Sequence, residues 1–507
     1  MAAVESVIDI QTFSEWLGLS TDSSKQSLSN TLNSWTSDTQ RLQNLSSKFK
    51  HFKDIIKKDP AFFKRAKTIF TEVATIESKM NDLLNNDSKL EKESYNEILF
   101  FNPVLQPLNF VPFILTIWAF VRVYLLPGIS LLLPLLTLIA PYFILKFLFC
   151  IPITFNNYMN ILQSMISGNF QAIVESDPTK PFISEKVPVV ALLKQVGLIG
   201  MTIVQGFLQP YWTHKHLKSI DDIINENGIL VYRFRELYDE LSILLEEHGC
   251  TFYRCPLPET HSKRDGVAQT LLNPTYFKIA LKYIGSVEVI LTLASKLDVY
   301  PVTWVSSKTP LFSIKDTFDY QVSVETRKTV CAEFRTNRHA LLTGPNKGGK
   351  STALRALSVS ALIAHTYGCA LGHLVATPFS KMCVCLKPDD LPGSKSRFER
   401  EIEFTANTLK NREPILIFID ELYHSTNPPD ALRSCEIYCE KLWKMENIVS
   451  VISTHLFELV EKANPNIQRL CCPASIDEKK VIHFEYDLKP GICKVSSVDT
   501  LLSKYGL

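Results

Sequence analysis

Net charge is nearly absent from this chain: 54 Lys and Arg stand against 52 Asp and Glu over 507 residues, leaving a formal +2. A nucleic-acid binder that works by overall charge is excluded, so any basic patch must be local. The twelve cysteines are scattered, with Cys383/Cys385, Cys435/Cys439 and Cys471/Cys472 the nearest pairs. No CxxC spacing or finger-like Cys/His set occurs, which argues against a zinc site. The opening MAAVESVIDI has an early acid and no basic stretch before an apolar run, unlike an export signal. Reduced thiols in the cytosol or nucleus are therefore expected. Internal repeats and low-complexity tracts are missing too. What remains is a globular composition, 46% hydrophobic and 21% charged, with length for about three domains.

One stretch departs from that ordinariness. From Val111 to Phe155 only Arg122 and Lys146 are charged, and 23 uncharged residues lie between them. A membrane-spanning helix needs about 20 apolar residues. Two layouts fit. One is a single span, Val123–Leu145, with Arg122 and Lys146 snorkelling at its ends. The other, preferred, is a hairpin near 105–155 that turns at Pro127–Gly128, with arms near Gln106–Leu126 and Ile129–Ile153. An even number of crossings keeps both flanks on one side. A second apolar segment, Val187–Trp212, is interrupted by Lys194, Gln195 and Gln205 and reads as a buried core helix.

Helical patterning fills the first half. Leu28, Leu32, Trp35, Leu42, Leu45, Phe49 and Phe52 predict one apolar stripe on a long helix that Pro60 stops or kinks. Lys48, Lys50, Lys53, Lys57, Lys58, Lys64, Arg65 and Lys67 form a basic cluster, read either as a solvated face or as a patch for phosphates of DNA or lipid headgroups. Leu230, Phe234, Leu237, Leu241 and Leu244 predict another helix, closed by Gly249. From Asp316 onward short β-rich runs (HALLT, MCVCL, ILIFI, IVSVIS, VIHFEY) alternate with helical patterns, which predicts a mostly parallel α/β sheet.

The chemistry lies in those runs. Gly344-Pro345-Asn346-Lys347-Gly348-Gly349-Lys350-Ser351 fits G-x-x-x-x-G-K-[ST], after a strand and before a helix, as a phosphate loop requires. Its N–H groups and the helix N-terminus would wrap phosphates, Lys350 would pair with the β- and γ-phosphates, and Ser351 would ligate Mg²⁺. Asp420 ends the apolar strand Ile415–Ile419 and is placed for the Mg²⁺ shell. Glu421 follows it, placed to polarise an attacking water. Thr454-His455 follow the apolar run VSVIS, and His455 at that strand end could sense the γ-phosphate.

TGPNKGGKST, Asp420-Glu421-Leu422 and STHLFEL together resemble the ATPase domain of the MutS mismatch-repair family. Asp389-Asp390-Leu391 followed by Ser396-x-Phe398-x-x-Glu401 resembles a further family segment, whose serine reaches the ATP of a dimer partner. Leu291–Ala294, Tyr300-Pro301 and Tyr486–Gly491 extend the likeness over roughly Ser286–Leu507. The resemblance implies ATP and Mg²⁺ as cofactors, bound by Gly344 to Thr352 and Ser396, with Glu421 and His455 catalytic and Ser351 and Asp420 on the metal. It implies DNA as partner and a homodimer or heterodimer through the ATPase domains. Two departures stand out. The family's GRGTS loop, which links the two ATP sites, is Tyr423-His424-Ser425-Thr426-Asn427 here, and Lys347 replaces an apolar residue. Mismatch reading is not expected: Phe13-Ser14-Glu15 has the spacing of the family's wedge without its glycine-rich context, and no β-rich clamp segment is visible.

The expected fold is an α/β P-loop NTPase domain of ABC/MutS type over 311–507. A helical region (1–104), the transmembrane hairpin (105–155) and a helical core or lever region (156–310) precede it. The expected activity is that of a membrane-anchored, DNA-binding ATP hydrolase with its ATPase domain in cytosol or nucleoplasm. The alternative is a membrane ABC-type ATPase acting on another cargo, although LSGGQ is absent.

Overall fold

A computed structural model describes residues 7–85, 94–167, 201, 204–386, 396–477 and 481–495. The chain divides into two compact units. One comprises Met1–Glu77, Glu240–Arg254 and Ala280–Leu507; the other comprises Ser78–Asp239 and Cys255–Ile279.

The first unit opens with α1 (Ile10–Leu17), α2 (Asp22–Leu32), α3 (Thr39–Lys58) and the start of α4 (Pro60–Asn85). Asp9, Thr21 and Asp38 cap the first three by accepting backbone N–H groups that a helix start leaves unpaired. The single long helix expected over Leu28–Phe52 is therefore two. Asp38 starts a new helix, and the link before it is engaged elsewhere: the Trp35 indole N–H donates to Phe379 O at 2.9 Å and its ring stacks on His365. Pro60 acts as expected, opening α4 where its missing N–H is not needed. Lys53 leaves the basic cluster: its ammonium is half-buried and donates to Lys296 O at 2.9 Å and to Val299 O. Lys48, Lys50, Lys57, Lys58, Lys64, Arg65 and Lys67 remain exposed.

The second unit contains α5 (Ile114–Phe120), α6 (Leu126–Phe143), α7 (Phe155–Ser167), most of α8 (Gln209–Glu246) and α9 (Lys263–Leu272). The expected turn at Pro127–Gly128 does not occur. A π turn, Val121–Leu125, joins α5 to α6, and Leu126 N–H bonds Val121 O across it. Helical backbone runs on through this turn, and Pro127 has no N–H to give it; Val123 O, four residues back, instead lies 2.7 Å from His214 Nδ1. Helix Ile114–Pro134 is long and apolar enough to cross a membrane, and its most apolar window is only 22% buried. Leu115, Ala119 and Val123 pack on Leu217, Ile220 and Val267, while Ile117, Phe120, Leu132 and Leu133 are exposed. Arg122, expected at the end of a span, lies inside this helix and pairs with Glu97. Of Val187–Trp212, only Met201 and 204–212 fall within the described residues. Phe234, Leu237, Leu241 and Leu244 on α8 are buried as their spacing predicts, and Gly249 lies just beyond its end with φ +75°.

Most of α10 (Pro274–Ser295) lies in the first unit and leads into its sheets. β1 (Val299–Pro301) pairs with β6 (Cys369–Leu371). A four-stranded sheet has the order β2-β7-β3-β4, from β2 (Thr303–Trp304), β7 (His373–Ala376), β3 (Phe312–Thr317) and β4 (Val330–Phe334). The main sheet has the order β14-β11-β5-β10-β9-β8. Its strands are β5 (His339–Thr343), β8 (Lys381–Cys385), β9 (Ile415–Ile419), β10 (Ile448–Ser453), β11 (Gln468–Cys471) and β14 (Lys489–Pro490). All are parallel to their neighbours except β14. β12 (Ala474–Ile476) and β13 (Ile482–Phe484) form a separate antiparallel pair.

Alternation along β9 fills both faces of the main sheet. Leu416 and Phe418 join a core with α11 (Lys350–Tyr367) and the N-terminal helices. Ile415, Ile417 and Ile419 join a second core with α13 (Pro428–Leu442) and α14 (Phe457–Lys462). α12 (Arg397–Thr408) adds Phe398 and Phe404 to that second core. The N-terminal helices are fastened by polar contacts as well. Ser46 Oγ donates to Gly368 O, Thr36 O lies 2.8 Å from His365 Nδ1, and Glu288 accepts from Thr21 Oγ1 at 2.6 Å. Gly368, at φ +73°, leaves room for this approach: a Cβ there would lie 2.4 Å from Ser46 N.

Candidate active site

β5, β10 and β9 are parallel neighbours, so their C-terminal ends open on one edge of the sheet. Open α/β sheets place ligands there. β5 runs into the loop Gly344–Gly349 and then α11; β9 delivers Asp420 and Glu421; β10 delivers Ser453 and His455.

The loop needs its glycines. Gly344 has φ +149°, and a Cβ there would sit 3.0 Å from Cys472 O. Gly349, at φ +101°, is the N-cap of α11 in a left-handed conformation that L side chains rarely adopt. Lys347 also takes a positive φ, +67°, and is exposed like Asn346, whereas Pro345 and Gly348 are buried. Ser351 is exposed and Thr352 half-buried at the start of α11.

Lys350 is 5% exposed and folds back over the loop, donating to Gly344 O at 2.9 Å and Pro345 O at 3.2 Å. Burial lowers its pKa, with Glu421 and Asp420 opposing that effect. His455 Nε2 lies 3.2 Å from Lys350 Nζ and 3.1 Å from Glu421 Oε1. The His455 hydrogen bond is the main reason the Glu421 carboxyl lies below its ordinary range, and Lys350 adds to it. Ser453 bridges the acidic pair: its hydroxyl donates to Asp420 Oδ1 and accepts from Glu421 N at 2.9 Å. Sequence reading missed Ser453. The signal was available, because a serine at the buried end of a strand next to the one that delivers Asp420 has to find a partner.

Beside the loop lies a cavity of about 420 Å³, lined by Gly349, Thr352, Ala353 and Ala356 of α11 with Phe318, Cys472, Tyr486 and Asp487. Cys472 and Tyr486 were not singled out for this role either.

The expected residues thus fall into two groups. Gly344–Thr352, Asp420, Glu421 and His455 converge on one edge. Ser396 does not join the Lys350–His455–Glu421 contacts; it caps α12, its Oγ accepting from Glu399 N at 3.2 Å. Asp389-Asp390-Leu391 lie outside the described residues.

The donor set suits a polyanion with a divalent cation. A glycine cradle that a Cβ would fill, the start of α11 and a buried ammonium supply donors and positive charge. Ser351 and Asp420 supply hard oxygen ligands of the kind Mg²⁺ takes.

Residues 340–500 match the family model described as MutS domain V. The match supports a relationship to the MutS family and spans the loop, Ser396, Asp420, Glu421 and His455. MutS domain V thus lies in the C-terminal part of a chain whose N-terminal region is helical.

Proposed function

We propose that this chain is a MutS-like ATP hydrolase with a P-loop NTPase domain of ABC/MutS type. It works as a dimer on DNA and is anchored to a membrane. The observation that carries the catalytic reading is the convergence of Lys350, His455 and Glu421 beside a loop that requires glycine at 344 and 349.

Lys350 neutralises phosphate charge and orients the terminal phosphoryl group. Glu421, kept ionised by His455, accepts the proton of the attacking water. His455 holds that carboxylate in place. Ser453 fixes Asp420 and Glu421 relative to each other. Mg²⁺ held by Ser351 and Asp420 supplies further charge neutralisation when bound. The adjoining cavity takes the nucleoside. Ser396, exposed at the start of α12, serves the nucleotide of the second subunit. The exposed lysines of α3 and α4 suit a DNA backbone.

A second reading, an ATPase for a non-DNA cargo in the membrane, is favoured by the exposed apolar face of Ile114–Pro134. Glu421→Gln separates the two. It should lower hydrolysis about 100-fold or more while ATP still binds. On the first reading it also yields an ATP-dependent complex that persists on duplex DNA at low salt. A trapped dimer that ignores DNA removes the DNA reading and leaves the second. Release of the full chain by carbonate extraction removes the membrane anchor from both.

A further inference from the structure

Two residues of the turn after β9 hold a left-handed backbone without being glycine: Glu421 at φ +53° and Tyr423 at φ +57°. Such a backbone is strained for an L residue and persists only where its surroundings fix it. Glu421 is fixed by Ser453 and His455. Tyr423 is fixed by α12. It is 3% exposed, its ring meets Phe398 edge-on at 5.8 Å, and its hydroxyl lies 2.5 Å from Thr405 Oγ1. The direction of that bond can be assigned. The single hydroxyl proton of Thr405 is directed to the α12 carbonyls of Glu401 and Ile402, each at 2.9 Å, so Tyr423 is the donor. The helix it grips is the one Ser396 caps.

We infer that Tyr423 is a positioning residue. Through its ring and hydroxyl it ties the turn carrying Glu421 to α12, so that hydrolysis depends on where α12 sits. This rests on the reading of Glu421 as hydrolytic base. A second subunit approaching Ser396 would then be felt at Glu421 through the Tyr423–Thr405 bond, without Tyr423 touching nucleotide.

The test uses the full chain. Tyr423→Phe keeps the ring and removes only the donor. It should lower kcat roughly five- to tenfold and leave KM for ATP unchanged, with the melting temperature falling by no more than the few degrees that one lost buried hydrogen bond explains. Thr405→Val should match it, the double substitution should be no worse than either single one, and Thr405→Ser should retain activity. An unchanged kcat in Tyr423→Phe overturns the proposal, and so do additive losses in the double variant. A lower melting temperature with full kcat also overturns it, because Tyr423 would then be a core residue and nothing more. A chain with no ATP hydrolysis before any substitution removes the Glu421 reading itself, which the unaltered control shows separately.

Discussion

The Nε2 atom of His455 lies 3.1 Å from Oε1 of Glu421, and the same nitrogen lies 3.2 Å from Lys350 Nζ. One neutral ring nitrogen cannot both donate and accept. Protonated, it donates to Glu421; unprotonated, it accepts from Lys350. The choice decides whether the carboxylate or the ammonium is restrained.

Glu421 owes its lowered pKa first to this hydrogen bond, while burial pushes the other way. A base with a lowered pKa stays ionised to lower pH. Replacing His455 by Ala removes the main lowering influence, so Glu421 should gain its proton at higher pH. The acid limb of the ATPase pH profile should move up, and kcat at neutral pH should fall roughly 10- to 100-fold. Steady-state hydrolysis across pH checks both; an unmoved acid limb would assign the profile to another group.

Two buried imidazoles give stability an acid dependence. Burial lowers His365 to about 3 and His339 to about 4, against an ordinary 6.5. Below 6.5 the unfolded chain binds protons that the folded chain refuses, so stability present at neutral pH is lost as pH falls. The slope is about 1.4 kcal/mol per pH unit for each imidazole that stays neutral. Denaturant midpoints should drop between pH 7 and pH 5, and His365→Gln should flatten that drop.

Gly368 and Gly249 share a left-handed conformation but not their surroundings. A Cβ on Gly368 would meet Ser46 N at 2.4 Å, whereas one on Gly249 meets nothing within 4 Å. Gly249→Ala should cost about 1 kcal/mol, the backbone term alone. Gly368→Ala should cost roughly 2–4 kcal/mol, because α3 must also retreat. Chemical denaturation of the pair separates strain from collision, and limited proteolysis should cut the Gly368 variant between α2 and α3 first.

The parallel strands were legible because each is a short apolar run buried on both faces, as in HALLT, ILIFI and IVSVIS. Their ends then placed Asp420, Glu421 and His455 without further information. The break between α2 and α3 was not legible, since the apolar spacing continues across it. What interrupts the helix is Trp35, held by Phe379 O, 344 residues away. Pro127-Gly128 misled because the pair reads as a turn, whereas a π turn carries the helix through and His214, 91 residues away from Val123, meets the carbonyl that the proline leaves open. Tyr423 could be seen as a departure, yet its grip on Thr405 depends on two segments meeting in space.

The docking of α1–α3 has a consequence for how the protein is made. Asp9 waits for Tyr320, Thr36 for His365 and Trp35 for Phe379, all more than 300 positions later. At about 5–20 residues per second, the first helices leave the ribosome tens of seconds before their partners exist. Until then Phe13, Leu28 and Phe49 have no core to enter. A segment synthesised hundreds of residues before its partners is sheltered only when those partners emerge.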